Sequence, residues 1–349
     1  MAARTDDLID ITQDADPDEV RLRGDRRGPG EDGAGDDRGR DAEGPGDVPA
    51  TGWKDVALRV KGEVKEDQVP LLSAGVAFYL LLALFPALAA LVSLYGLFAD
   101  PAEVSQQVSD LTGTLPQEAQ SLITDQLEKV TEEEQGIGVT LAVSIAAALW
   151  AASSGVKHLI GAVNAAYDER ETRKFLKLRG LSLALTVGAV LFAAVSLGVI
   201  AVLPALAEEL PFGDIGTTLV HIGSYVGLAV GFALGLAVLY RYAPDRDAPK
   251  WRWVSWGAAI ATVVWILGSV AFSVYVSNFG SYGETYGSIG AVIVLMLWLA
   301  VTAFAVILGA EINSELEAQT AKDSTVGHPE PMGTRGAVKA DNIGEPAAT

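Results

Sequence analysis

Residues able to do acid–base, nucleophilic or metal chemistry are few in this chain and are not grouped by their spacing. There is no cysteine, which excludes disulfides, thiolate catalysis and Cys-ligated metal. The three histidines, His158, His221 and His328, stand far apart and form neither H-x-H nor H-E-x-x-H. No His-rich zinc site is therefore expected. Neither a G-x-x-x-x-G-K-[ST] phosphate loop nor a G-x-S-x-G nucleophile elbow occurs. Catalytic residues, cofactor-binding residues and metal ligands are all expected to be absent.

What remains is a set of single residues at the ends of, or within, apolar stretches. Lys157 and Glu311 both follow long uncharged runs, and two readings stand for them. They form an ion pair closing an inner mouth, or each snorkels independently to the interface. Asn164 and Tyr240 fall near the same ends and are candidates for contact with lipid headgroups. Pro86 lies mid-run, where it deletes a backbone hydrogen bond and is expected to kink a helix. Gly223, Gly227, Gly231 and Gly235 recur every four residues, giving a smooth helical ridge. Packing within a bundle, homo-oligomerisation and a sliding surface are its three readings.

The elements that must position these residues are set by charge. Six stretches carry no Asp, Glu, Lys or Arg: residues 70–99, 135–156, 180–207, 215–240, 253–283 and 285–310. Each exceeds the ~20 residues an α-helix needs to cross a bilayer core at ~1.5 Å per residue. The spacing predicts spans over about 70–98, 137–157, 181–204, 217–240, 254–278 and 286–310. The connections alternate in basic content. Lys54, Arg59, Lys61 and Lys65 precede the first span. The next connection, residues 100–134, carries nine acids and only Lys129. Arg170, Arg173, Lys174, Lys177 and Arg179 follow the second span, and the turn near Glu208, Glu209 and Asp214 has no base. Arg241, Arg246, Lys250 and Arg252 come next, then the baseless turn at Glu284. Basic loops stay cytoplasmic, so an all-α, six-span protein with both termini inside is expected.

Outside the spans, residues 53–66 place Trp53, Val56, Ala57, Val60 and Val64 on one helical stripe. This is either an interfacial helix in the headgroup zone or a helix packed on the bundle. Residues 100–134 are expected to form a helical extracytoplasmic cap, with Leu122, Ile123, Leu127 and Val130 on one face. Residues 1–50 hold no aromatic residue and are rich in Asp, Glu, Arg, Gly and Pro, so a disordered acidic tail is expected. Residues 319–349 read the same way. Much of the net charge of −19 thus belongs to the tails and the acidic outer loop, and the bilayer is the expected partner, not nucleic acid.

From Trp53 to Ala318 the chain resembles the YihY/BrkB family of bacterial inner-membrane proteins. The matching pieces are Ala77-Phe78-Tyr79 with Leu84-Phe85-Pro86, then Trp150-Ala151-Ala152-Ser153 leading to Asn164 and Tyr167. Further on come Leu239-Tyr240-Arg241-Tyr242-Ala243-Pro244, Tyr286-Gly287-Ser288, Leu297-Trp298 and Leu308-Gly309-Ala310-Glu311-Ile312-Asn313. Gly283-Glu284 departs from the family pattern, which often has Asn and a basic residue there. The resemblance implies a six-helix plasma-membrane protein connected with the envelope, for which transport has been proposed; members have also carried a ribonuclease BN label. It adds Tyr286, Gly287 and Asn313 to the candidate residues. Spans without midplane acids or histidines point away from ion pumping. The expected function is movement of a lipid-like or amphiphilic molecule, with a non-transporting scaffold as the alternative and a ribonuclease as a remote one.

Overall fold

The computed structural model describes residues 38–95, 139–209, 213–278 and 288–346, and Arg38–Thr349 forms one compact unit. A short 3-10 turn, Pro45–Asp47, leads into α1 (Ala50–Glu66). The long helices follow: α2 (Val69–Tyr95), α3 (Val139–Ala166), α4 (Phe175–Glu209), α5 (Gly213–Tyr242), α6 (Trp251–Asn278) and α7 (Ser288–Glu317). A four-residue helix α8 (Val338–Asp341) ends the order. Among the described residues the only β pairing is one antiparallel bridge, Pro249 to Thr325.

Among the described residues five helices are long and apolar enough to cross a membrane, through Val69–Leu88, Phe175–Ile200, Gly216–Tyr242, Trp251–Ser277 and Val292–Glu317. In lipid only a helix satisfies every backbone group within one segment, and these sequences oblige. Their hydroxyls do not break the pattern. Ser73, Ser182, Thr186, Ser196, Ser224 and Thr262 each donate to the carbonyl four residues back. These polar groups are thereby consumed within their own helices. Helix α2 continues through Pro86 to Tyr95.

The principal buried cluster draws on Val69 and Val76 of α2, Ile160 to Tyr167 at the end of α3, and Leu236 to Ala243 at the end of α5. It is completed by Val254 to Ala261 of α6 and Ala303 to Ala310 of α7. All these positions lie in the halves of the helices nearest the basic connections. In the opposite halves large apolar side chains are exposed, among them Val195, Ile200, Ile222, Val226, Val270 and Val274.

Glycine sets the closest approaches. A Cβ on Gly257 of α6 would strike the Gly309 carbonyl and the Asn313 side chain, and one on Gly309 would strike the Tyr240 hydroxyl. On the α2–α3 seam, a Cβ on Gly155 would lie 2.8 Å from that of Ala83.

Two expectations are corrected. The stripe of α1 packs on protein: Val56 and Val60 are buried with Trp253 and Leu316, and Trp53, Val64, Leu308 and Ile312 pack around them. Trp53 meets Trp256 at 5.5 Å between ring centroids. Of the two readings of α1, the bundle-packed one fits the structure.

The second correction concerns the tails. Residues 319–346 and 38–49 are folded onto the helix ends. Gln319 donates to the Arg38 carbonyl at 2.7 Å, and Thr320 donates to that of Ala42 at 2.7 Å. Lys250 and Val326 exchange backbone bonds with Ser324 and Ala248. Arg335 reaches the carbonyls of Ala321 and Ala340. These segments are held by polar groups that find partners, which a count of apolar residues does not register. Residues 1–37, the expected cap at 100–134, and Gly283 to Gly287 lie outside the described residues.

Candidate functional site at the charged rim

Charge returns where the helices end, and the fold gathers it at one place. Helix α1 stops when Gln68 takes a left-handed backbone (φ 51°), so Glu63 and Asp67 sit beside the start of α2. Asp168, also left-handed (φ 57°), turns the chain out of α3. One carboxylate oxygen from each of Glu63, Asp67 and Asp168 lies within 4.8 Å of the other two. Glu311 and Glu315, four residues apart on α7, project to one face of that helix.

Lys339 of α8 reaches into this cluster. Its ammonium is 2.7 Å from Glu315, 2.9 Å from Asp168 and 3.1 Å from Glu63. Burial works against its charge, but Glu315 and Asp168 outweigh that and hold Lys339 above the ordinary lysine range. Arg59 takes the other Glu315 oxygen at 2.5 Å and bonds Gln319 at 2.8 Å. Burial raises Glu63 against the pull of Lys339, and burial together with the Asp168 charge raises Asp67. Beside the cluster lies a cavity of about 600 Å³, whose lining includes Arg59, Glu63, Asp168, Lys339, Leu58 and Ile343.

A second polar knot joins the α3–α4 turn to the α5–α6 connection. Asn164, buried, donates to Glu171 at 3.0 Å and accepts from the Asp245 backbone at 2.8 Å. Arg173 pairs with Glu171 at 2.5 Å. Arg246 and Glu317, both fully buried at the side chain, pair at 2.6 Å.

The residues singled out from sequence fare unevenly. Glu311 is only 1 % exposed and its carboxylate receives no hydrogen bond; it faces Asp67, not Lys157. Lys157 is exposed on α3, so the two form no ion pair; Lys157 fits the snorkelling reading, whereas Glu311 is buried and does not. Asn164 ties loops together as described. Tyr240 is buried and donates to the Val306 carbonyl at 2.7 Å. Asn313 accepts from the Gly257 backbone at 2.8 Å and donates to Val254 at 3.2 Å. Pro86 sits within α2. In the glycine ridge only Gly231 abuts another helix, at Phe192; a Cβ on Gly223, Gly227 or Gly235 meets nothing within 4 Å. Tyr286 and Gly287 lie outside the described residues.

Sequence reasoning missed Glu63, Asp67, Asp168, Glu315 and Lys339, and with them a group of carboxylates suited to a metal. One signal was available. Arg59 and Glu63, like Glu311 and Glu315, have the i, i+4 spacing of one helix face.

A family model described as virulence factor BrkB matches residues 60–332. The chain belongs to the BrkB family. The BrkB match thus begins inside α1 and runs past α7 into the folded C-terminal segment. The putative ribonuclease-like protein YfkH of Bacillus subtilis is 34 % identical over 254 residues, covering 70 % of this chain and 88 % of YfkH. The UPF0761 membrane protein NTHI0384 of Haemophilus influenzae is 21 % identical over 257 residues, 72 % of this chain and 91 % of its own. No solved structure matches.

Proposed function

We propose that this BrkB protein moves a lipid-like or amphiphilic molecule across the bacterial plasma membrane, with six spans and both termini in the cytoplasm. The sixth span in this reading is α3, whose 28 residues are long enough to cross. The basic connections support a cytoplasmic position for the charged rim.

One observation carries the reading. The buried core and every ion pair among the described residues sit at or near the rim. Between the rim and the far helix ends, where Glu208, Glu209 and Asp214 stand, the described helices hold no Asp, Glu, Lys or Arg and expose apolar side chains. A path along such walls repels ions and accepts acyl chains, because an unpaired charge there costs several kcal/mol (~2.5–3.5 at a helix centre). Hydroxyls that bond back to their own helix, as at Ser182, Thr186, Ser196, Ser224 and Thr262, reduce the polar lining that could offset that cost.

The test is reconstitution into liposomes containing a fluorescent phospholipid, followed by quenching from outside. Transport predicts quenching beyond the outer-leaflet fraction. A plateau identical to that of protein-free liposomes, across phospholipid classes, counts against it.

The scaffold reading gives the work to the tails, and it is distinguished by deleting residues 1–37 and finding flux unchanged while the cellular phenotype is lost. The name of YfkH raises the ribonuclease reading. The rim carboxylates remove the objection that the chain has no metal-binding side chains, but the net charge of −19 still repels RNA. Incubating the purified protein with tRNA precursors, with and without divalent metal, tests it directly.

A further inference from the structure

We infer that Glu63, Asp67, Asp168 and Glu311 form a site for one hard divalent cation (Ca2+, Mg2+ or Mn2+) that clamps α1, the α3–α4 turn and α7 together at the charged rim, with Lys339 as a tethered competitor at its edge.

Three observations converge. The first is spacing. Carboxylate oxygens bind Ca2+ at about 2.3–2.6 Å, and Mg2+ at about 2.0–2.1 Å. Ligands on opposite sides of such an ion stand roughly 4–5 Å apart, and one carboxylate oxygen from each of Glu63, Asp67 and Asp168 lies within 4.8 Å of the other two.

The second is Glu311. Its carboxylate is 1 % exposed, receives no hydrogen bond, and faces the carboxyl of Asp67. A buried carboxylate without a donor is expensive unless a cation or a proton answers it. Its neighbour is the Asp67 carboxyl, within hydrogen-bonding reach, so either a proton shared by the two acids or a cation answers it.

The third is charge. Glu63, Asp67, Asp168, Glu311 and Glu315 meet around two bases, Arg59 and Lys339. Arg59 is spent on Glu315 and Gln319. Lys339 pairs with Glu315, Asp168 and Glu63, and Glu311 is in none of these ion pairs. All donors are carboxylate oxygens, which select hard cations over zinc or copper.

The ligands come from three parts of the chain. Glu63 and Asp67 end α1, Asp168 ends α3, and Glu311 lies near the end of α7. An ion at their centre links these segments directly. Lys339, on α8, competes for the Asp168 and Glu63 oxygens, so cation binding and docking of the C-terminal segment are antagonistic.

The experiment uses the full-length protein in detergent, titrated with Mn2+ at fixed ionic strength, with free Mn2+ read by electron paramagnetic resonance. One saturable Mn2+ per chain is expected, displaced by Ca2+ or Mg2+. Asp67→Asn and Asp168→Asn are each expected to weaken binding at least tenfold, and Lys339→Met to tighten it several-fold. Asp168 is half exposed and Asn tolerates a left-handed backbone, so that variant keeps its fold. Glu43→Gln, an exposed acid away from the cluster, serves as the control with unchanged binding. Absence of a saturable site, or equal affinity in wild type and Asp168→Asn, overturns the proposal.

Discussion

At the residue scale, the strongest structural demands fall on charged groups that the protein has buried in pairs. Arg246 and Glu317 are both fully covered and lie 2.6 Å apart. Removing one partner strands the other's charge, which costs about 3–5 kcal/mol. Arg246→Ala is therefore expected to lower the melting temperature in detergent substantially, whereas truncation of the exposed Lys157 leaves it unchanged. The knot around Asn164 gives a pH prediction. The Arg173 hydrogen bond, against some burial, holds Glu171 below the usual carboxylate range. Thr172 does the same for Asp245, in spite of burial. Groups with depressed native pKa stabilise the fold above their unfolded values of about 4 and lose that contribution as pH falls through the native values. The melting temperature should drop below about pH 4, and Glu171→Gln should flatten that drop. An acid limb identical in wild type and Glu171→Gln contradicts this role. Apart from Glu171 and Arg173, two residues apart, these partnerships were not legible in the sequence, because Asn164 and Asp245, or Arg246 and Glu317, are far apart along the chain. Glu311 is legible as an end residue, but neither an ion pair with Lys157 nor independent snorkelling anticipates its neighbour in space, Asp67.

At the element scale, helix boundaries follow from charge and turn chemistry, and this is where the sequence speaks most clearly. The uncharged runs predict the long helices closely: 181–204 falls inside α4 and 254–278 nearly coincides with α6. Contacts between helices were harder to read. The ridge from Gly223 to Gly235 drew notice by its regular spacing, yet the seam that depends on glycine is Gly257 against Gly309. These two glycines stand on different helices, so no periodicity reveals them. Gly257→Leu should drive α6 from α7 and break the Asn313 bonds, at a cost exceeding the 1–3 kcal/mol typical of overpacking. Gly227→Leu, which meets open space, should be close to neutral in stability. Equal melting temperatures for the two variants contradict the assignment. Helix α1 shows the other limit. Its amphipathic stripe was plain, but a Trp-bearing apolar face suits lipid headgroups and Trp253 of α6 equally well.

At the scale of the whole molecule, the protein divides into a charged, hydrogen-bonded rim and an apolar body. The tails were misread because their composition resembles that of solvated chain. Gln319, Ser324, Arg335 and Lys339 are nonetheless buried; Gln319, Ser324 and Lys339 pair with groups on α1, α7 or the opposite tail, and Arg335 with carbonyls of its own segment. Deleting residues 319–349 is expected to uncover Glu315 and Glu317, lower the melting temperature, and open α1 to proteolysis. A truncated protein as stable as the full chain contradicts a structural role for that segment. The apolar body bears on function, since walls without charge suit a lipid and exclude an ion. Flux of a fluorescent phospholipid across liposomes bearing the purified protein is the measurement that bears on this most directly. Movement of lipid from the inner to the outer leaflet, slowed by Gly257→Leu and unchanged by Lys157→Ala, is the predicted result. Wild-type vesicles whose lipid exchanges no faster than in empty ones, for every headgroup tried, would contradict it.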